Sequence, residues 1–167
     1  MNGQRYYNRP TGLRLRVYDP LVKVIVMHTP WSGFSRRDSV CVLAIRGRKT
    51  GRLYEHPVGV CSHHGARYIV SFYGDSQWAR NMRAGTQAEL RDRKTTQPIK
   101  GIELAGAEKA EFLRFLLTRY PMFVRIWWKL NPRRVTSAQL DMLAERYPVF
   151  RVIADDHEYT SPGTGSK

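Results

Sequence analysis

Residues 46 to 52, RGRKTGR, place four cations, one hydroxyl and two glycines within seven positions. Arg46, Arg48, Lys49 and Arg52 offer charge-assisted hydrogen bonds, and Thr50 adds a hydroxyl. Gly47 and Gly51 permit backbone angles closed to other residues, so that amide groups turn toward one guest. The chemistry such a set supports is anion binding, with phosphate or carboxylate as the guest. The same residues also suit a solvated hairpin tip whose charges suppress edge aggregation.

Other reactive residue types give weaker signals. His56, between Glu55 and Pro57, reads as a hydrogen-bonded strand histidine close to the bound anion. His63 and His64 form part of a turn; no Cys, Asp or Glu stands at a matching spacing, so no metal site is expected and both read as solvated. Cys41 and Cys61 lack metal-ligand spacing. If Arg46 and Leu53 face each other across the turn, Cys41 lies opposite Val58, so both cysteines read as reduced packing residues. The segment FVRIWWKLNPRR interleaves Phe123, Ile126, Trp127, Trp128 and Leu130 with Arg125, Lys129, Arg133 and Arg134. That pattern fits an interfacial membrane helix, a single-stranded nucleic-acid surface, or a packed helix whose long cations cover apolar surface.

The elements that must hold these residues follow from periodicity. SVCVLAIR (39 to 46), LYEHPVGVCS (53 to 62) and RYIVSFY (67 to 73) are apolar and β-branched, and are separated by turn signals, giving a three-stranded antiparallel meander. Pro57 demotes its part of the second strand to an edge or bulge and leaves backbone open to a ligand. Residues 74 to 85 predict a short helix capped by Asp75 or Ser76 and stopped by Gly85. Two more strands are expected in AELRDRKT and PIKGIELAG around a Thr95-Thr96-Gln97 turn. Phe112, Phe115, Leu116 and Tyr120 lie on helical spacing, Thr136 with Gln139 makes a capping box, and PVFRVIAD supplies a last strand. A further helix is expected at about 13 to 28, bent or started at Pro20. The fold class is mainly β with flanking helices: an antiparallel barrel of about six strands, closed or half open.

A chain of 167 residues with 42% hydrophobic composition suits one domain, here 1 to 155, with a polar tail from 156 to 167 expected to be disordered. The net charge of +14 and a pI near 10.3 point to an anionic partner: nucleic acid, an acidic membrane surface or a polyanionic small molecule. The N-terminal MNGQRYYNRPTG has no apolar run of the secretory kind, and Val24 to Met27 is too short to span a bilayer, so the expected location is cytoplasmic, with peripheral contact at the inner membrane face left open.

Taken in order, the GRKTGR turn after an apolar strand, the proline that follows, a strand ending in glycine at Gly74, and the pair Trp78 and Asn81 before Arg83-Ala84 carry a resemblance. The chain resembles the deazaflavin-dependent nitroreductase and quinone reductase family, split β-barrel proteins with an FMN-binding-like fold that use coenzyme F-420 as hydride donor. The resemblance implies that Arg48, Lys49, Thr50 and Gly51, with Arg52 beside them, grip the phosphate and polyglutamate tail of the coenzyme. It implies that His56 and Pro57, with Ser71, Phe72 and Tyr73, form the wall and floor of the deazaflavin pocket, and that Trp78 and Asn81 close over it. Tyr120, Tyr73 and Ser71 are the candidate proton donors; packing roles are the alternative for each. Tyr54 and His56 stand where relatives often carry arginine and asparagine, and only Tyr120 is retained of a tyrosine-rich substrate edge, with Phe123 and Ile126 at the later positions. This makes nitroimidazole activation less expected than the family name suggests; the expected acceptor is a quinone, enone, nitro or other hydrophobic compound, and menaquinone follows if the membrane reading holds. Flavin mononucleotide is the alternative cofactor. A non-catalytic basic module for nucleic acid, acidic lipid or the coenzyme itself is the alternative function. Monomer and dimer both remain open.

Overall fold

The computed structural model of the chain describes residues 39–92 and 95–155. The helix expected at 13 to 28 and the tail from 156 lie outside the described residues. Six strands, β1 (Ser39–Arg46), β2 (Leu53–His63), β3 (Ala66–Val70), β4 (Ala88–Arg91), β5 (Thr96–Glu103) and β6 (Val149–Ala154), close into an antiparallel barrel in the order β1-β2-β3-β6-β5-β4. Four helices accompany them: α1 (Gln77–Arg83), α2 (Gly106–Arg119), α3 (Pro121–Trp127) and α4 (Ser137–Arg146).

Alternation along the strands sorts side chains into two cores. Cys41, Leu43 and Ile45 of β1 point into the barrel with Val58, Val60, Ile69, Leu90, Ile99 and Phe150. Trp78, Ala79 and Met82 of α1 join them, so the short helix plugs the barrel, with the Trp78 ring 5.8 Å from that of Phe150. Gly101 is required there, because a Cβ at that position would meet Met82 Cγ at 2.6 Å. The outer faces of β2, β3 and β6 carry Cys61, Tyr68, Val70 and Val149, which pack on the apolar stripe Phe112, Leu113, Leu116 and Leu117 of α2 and on Leu140 and Leu143 of α4. Val124 and Trp128 enter the same cluster, so part of the aromatic and basic segment is core.

The β1–β2 register is the one expected, with Arg46 opposite Leu53 and Cys41 opposite Val58, and both cysteines are free and buried. β2 and β3 are joined by His64 and Gly65 at φ 47° and 76°, the two left-handed residues of a twist-matched two-residue hairpin. β3 is shorter than expected and stops at Val70. Ser71 turns out of the sheet because its hydroxyl donates to the Gly74 carbonyl at 2.6 Å. Of the two caps expected for α1, Ser76 is the one used; its hydroxyl accepts from the Ala79 amide. Thr96 and Gln97 belong to β5 and not to the preceding turn, since the Asp92 carboxylate takes the Thr95 amide at 2.7 Å and closes the connection earlier. The capping box at Thr136 and Gln139 is present.

Candidate active site

The basic turn is built by its own backbone. Gly47 donates to the Arg52 carbonyl at 2.8 Å, and the amides of Thr50 and Gly51 return to the Gly47 carbonyl at 3.2 and 2.8 Å. Gly51 adopts φ 65°, which a side chain tolerates poorly. Gly47 has no room for one, because a Cβ would stand 2.7 Å from both Thr50 Oγ1 and a Tyr54 ring carbon. Most amides of the turn are therefore used internally, and the groups left for a guest are mainly the cations. That differs from a turn whose amides all face a ligand.

Those cations have a common property. Arg48 donates from its guanidinium to Asn81 Oδ1 at 2.9 Å and to Gln77 Oε1 at 3.1 Å, and its amide also reaches Asn81 Oδ1 at 3.3 Å. Arg46 donates to Gln87 Oε1 at 2.9 Å and to the Gly51 carbonyl at 3.0 Å. All of these acceptors are neutral. Among the described residues no carboxylate pairs with Arg46, Arg48, Lys49 or Arg52, so four cations within seven positions of one turn have no acidic partner there. Asn81 is 4% exposed and is held by the plug helix, whose carbonyl at Asn81 also accepts from Thr86. Thr50 Oγ1 lies 3.3 Å from the Tyr54 hydroxyl.

Next to the turn, one edge of β2 takes no partner strand among the described residues. Residues Leu53 to Gly59 pair with β1 on one side, whereas pairing with β3 begins at Val60. Pro57, opposite Val42, is accommodated there because the edge asks for no amide from it. His56 and Pro57 are half-buried along this edge, and Leu53 and Tyr54 are exposed. Tyr73, also exposed, sits in the turn that follows β3, where that edge begins.

The remaining expected residues are distributed differently. Ser71 is 1% exposed; its proton goes to the Gly74 carbonyl and its oxygen lies 2.8 Å from Ser76 Oγ, so it belongs to the network that starts α1. Trp78 is 6% exposed and points into the barrel, while Asn81, one turn on, points at the basic turn. Phe72 and Tyr120 pack against the outer core, Phe72 on Trp128 at 5.9 Å and Tyr120 edge-on to Phe115 at 6.4 Å with the Arg119 guanidinium 5.5 Å from its ring. The structure thus brings Arg48, Lys49, Thr50, Gly51, Arg52 and Asn81 together, with His56, Pro57 and Tyr73 along the neighbouring edge. Gln77, Gln87 and Tyr54 were missed by the sequence reading. Gln77 had a signal, since it precedes Asn81 by four residues and so shares its helical face.

The arrangement suits an anion: a cationic turn without an acidic partner among the described residues stands beside a strand edge on which His56 and Pro57 are half-buried. No curated protein matches the chain. Solved structures resemble it, and three of them illustrate the likeness. One, described as an F420-H2 dependent reductase (FDR-A), is 20% identical, with 72% of this chain and 96% of that chain covered and a TM-score of 0.47. A second, described as a domain-swapped dimer, is 18% identical over 80% and 94% at 0.49, and a third, described as an F420 reductase, is 13% identical over 70% and 86% at 0.40. Likeness at that level carries no functional inference. The model of one family matches residues 27–129, which take in β1 to β5 with α1, α2 and α3, and on that match the chain belongs to the F420H(2)-dependent quinone reductase family.

Proposed function

We propose that the chain is an oxidoreductase that holds reduced coenzyme F-420 by its anionic tail at Arg48, Lys49, Thr50, Gly51 and Arg52 and reduces a quinone-type acceptor. The observation that carries the residue assignment is a turn of four cations that meet no carboxylate among the described residues, with Arg48 steered by the neutral amides of Gln77 and Asn81 and Arg46 by that of Gln87. Neutral acceptors fix the direction of Arg48 and leave its charge to attract phosphate and carboxylate oxygens. When bound, the deazaflavin supplies hydride; the protein supplies placement and exclusion of water. His56 and Pro57 offer their edge of β2 as a wall, and Asn81 acts through Arg48 as a positioning residue. Trp78 fixes the helix that carries Asn81.

A proton must reach the reduced acceptor. Tyr73, exposed beside the same edge, is the better placed donor; Tyr120 is half-buried in the outer core, and the Ser71 proton is committed to the Gly74 carbonyl. The finer partner reading is menaquinone reached at a membrane surface. It is supported by Met122, 74% exposed, beside Arg125, Lys129, Arg133 and Arg134, none of which pairs with a carboxylate among the described residues. No helix among the described residues is long and apolar enough to cross a membrane.

The test is a fluorescence titration of the purified protein with coenzyme F-420 and, separately, with flavin mononucleotide, followed by turnover with a soluble quinone. Binding of the deazaflavin weakened by Lys49→Ala, with oxidation of the reduced coenzyme by quinone, is the expected result. Binding of flavin mononucleotide alone, or of neither, would reject the cofactor assignment.

A further inference from the structure

At the opposite end of β2 from the basic turn lies a second cluster that the proposed reaction does not use. At about 3.3 Å per residue, the ten steps from Leu53 to His63 span roughly 33 Å of strand. His63 and His64 close β2, and the fold brings Glu111 of α2 to them: Glu111 Oε1 is 3.5 Å from His64 Nε2 and 3.9 Å from His63 Nε2, and one ligand atom from each of the three residues lies within 4.8 Å of the others. The absence of a carboxylate at matching sequence spacing argued against a metal here; the fold supplies one from 47 residues on.

An ordinary ion pair leaves part of this arrangement unexplained. His63 Nε2 is buried and makes no hydrogen bond, and 3.9 Å to the carboxylate is too long for one. The ring cannot turn away easily: it stacks on Phe115 at 4.1 Å and meets Phe112 edge-on at 6.1 Å. An orphaned imidazole nitrogen is thus aimed between a second imidazole and a carboxylate. His64 and Glu111, 75% and 65% exposed at their side chains, leave the outer side accessible to an ion and to water.

We propose that His63, His64 and Glu111 form a binding site for a divalent transition-metal ion of zinc-like chemistry. Two imidazoles and one carboxylate are the donor set such borderline ions take, with a water completing four-coordination. Bonds of about 2.0–2.1 Å in tetrahedral geometry put ligand atoms roughly 3.3 Å apart, so from the 4.8 Å within which they lie the site contracts by at most about 1.5 Å. The ion would pin the β2–β3 hairpin to α2 over the outer core. It lies far from the hydride-transfer region, so the proposal stands independently of the cofactor reading.

The test uses tag-free full-length protein stripped with chelator. Wild type is expected to take up one equivalent of Co(II), giving tetrahedral ligand-field absorption, to compete with a chromophoric chelator for Zn(II), and to gain about 5–10 °C in Tm at a hundredfold excess of Zn(II) over its Kd. His64→Ala and Glu111→Gln, both at exposed side chains, are expected to lose at least tenfold in Zn(II) affinity and the Tm gain, with coenzyme binding unchanged. Absence of stoichiometric binding by wild type, or equal binding by wild type and both variants, would overturn the proposal; in the latter case His28 or His157 would be the source.

Discussion

Two groups of arginines in the barrel have opposite partners. Arg83 donates to both carboxylate oxygens of Glu103, at 2.6 and 2.9 Å, and to Asp75 at 3.0 Å, and Arg91 bridges Glu55 and Glu89. Arg46, at the end of β1, and Arg48, in the turn that follows, meet only amides and a carbonyl. In the first group charge is neutralised within the fold, and the carboxylates beside Arg83 raise its pKa further. In the second, direction is fixed and charge is left over. On the proposed function, the difference separates cations paired within the fold from cations left for the anionic coenzyme.

Breaking the shared platform should abolish the distinction with the largest effect. Trp78→Ala removes the anchor of the plug helix, which carries Arg83 and holds Arg48 through Gln77 and Asn81, and should cost about 3–5 kcal/mol in urea unfolding, with coenzyme binding lost in parallel. Removing the unpaired group alone should separate binding from stability. Arg48→Ala with Lys49→Ala should weaken coenzyme binding on the order of a hundredfold, from two charge-assisted contacts of roughly 1.5–3 kcal/mol discounted for exposure, with the urea midpoint little changed. Asn81→Asp sharpens the comparison by giving Arg48 a carboxylate of its own. The fold should survive, and coenzyme affinity should fall by about tenfold as the charge is neutralised.

How much of this contrast was legible beforehand differs between the two groups. The basic turn and the strands beside it were readable, because β-branched runs and a glycine-bounded turn specify a hairpin locally, and β1 runs over the residues expected. The contact of Asn81 with Arg48 spans 33 residues and was visible only as a shared motif, while the pairing of Arg83 with Glu103 had no local signature at all. Ser71 misled for a related reason. Its sequence continues an apolar strand, but its hydroxyl finds Gly74 and Ser76 and ends the strand instead. Trp78 and Asn81 were correctly placed on one short helix; which of them faced the barrel depended on a core assembled from six strands. Glu111 meets the histidine pair only because α2 packs back over the β2–β3 hairpin.

Smaller effects complete the series. Arg83→Ala should cost on the order of 1 kcal/mol of stability, given that the guanidinium is 44% exposed, and should leave coenzyme affinity unchanged within twofold. The pH dependence distinguishes a further pair of sites. His63 has a folded pKa below its ordinary 6.5, so the unfolded chain binds more protons, and its contribution is complete above that value and is lost as pH falls through the lowered one. Burial alone would raise Asp75, but hydrogen bonds from Arg80 and Arg83 outweigh it and lower its pKa below 3.8, so its contribution persists until pH falls below that range. Urea midpoints measured between pH 8 and 3 should therefore show an early decline that His63→Phe reduces and a late decline that Asp75→Asn reduces.

The most direct measurement is a side-by-side titration of wild type, Asn81→Asp and Arg83→Ala with coenzyme F-420 at fixed, moderate ionic strength. An unpaired, amide-steered Arg48 as the anchor of the coenzyme predicts about tenfold weaker binding for Asn81→Asp and wild-type binding for Arg83→Ala. Equal affinity in all three proteins, or a greater loss in Arg83→Ala, would contradict it.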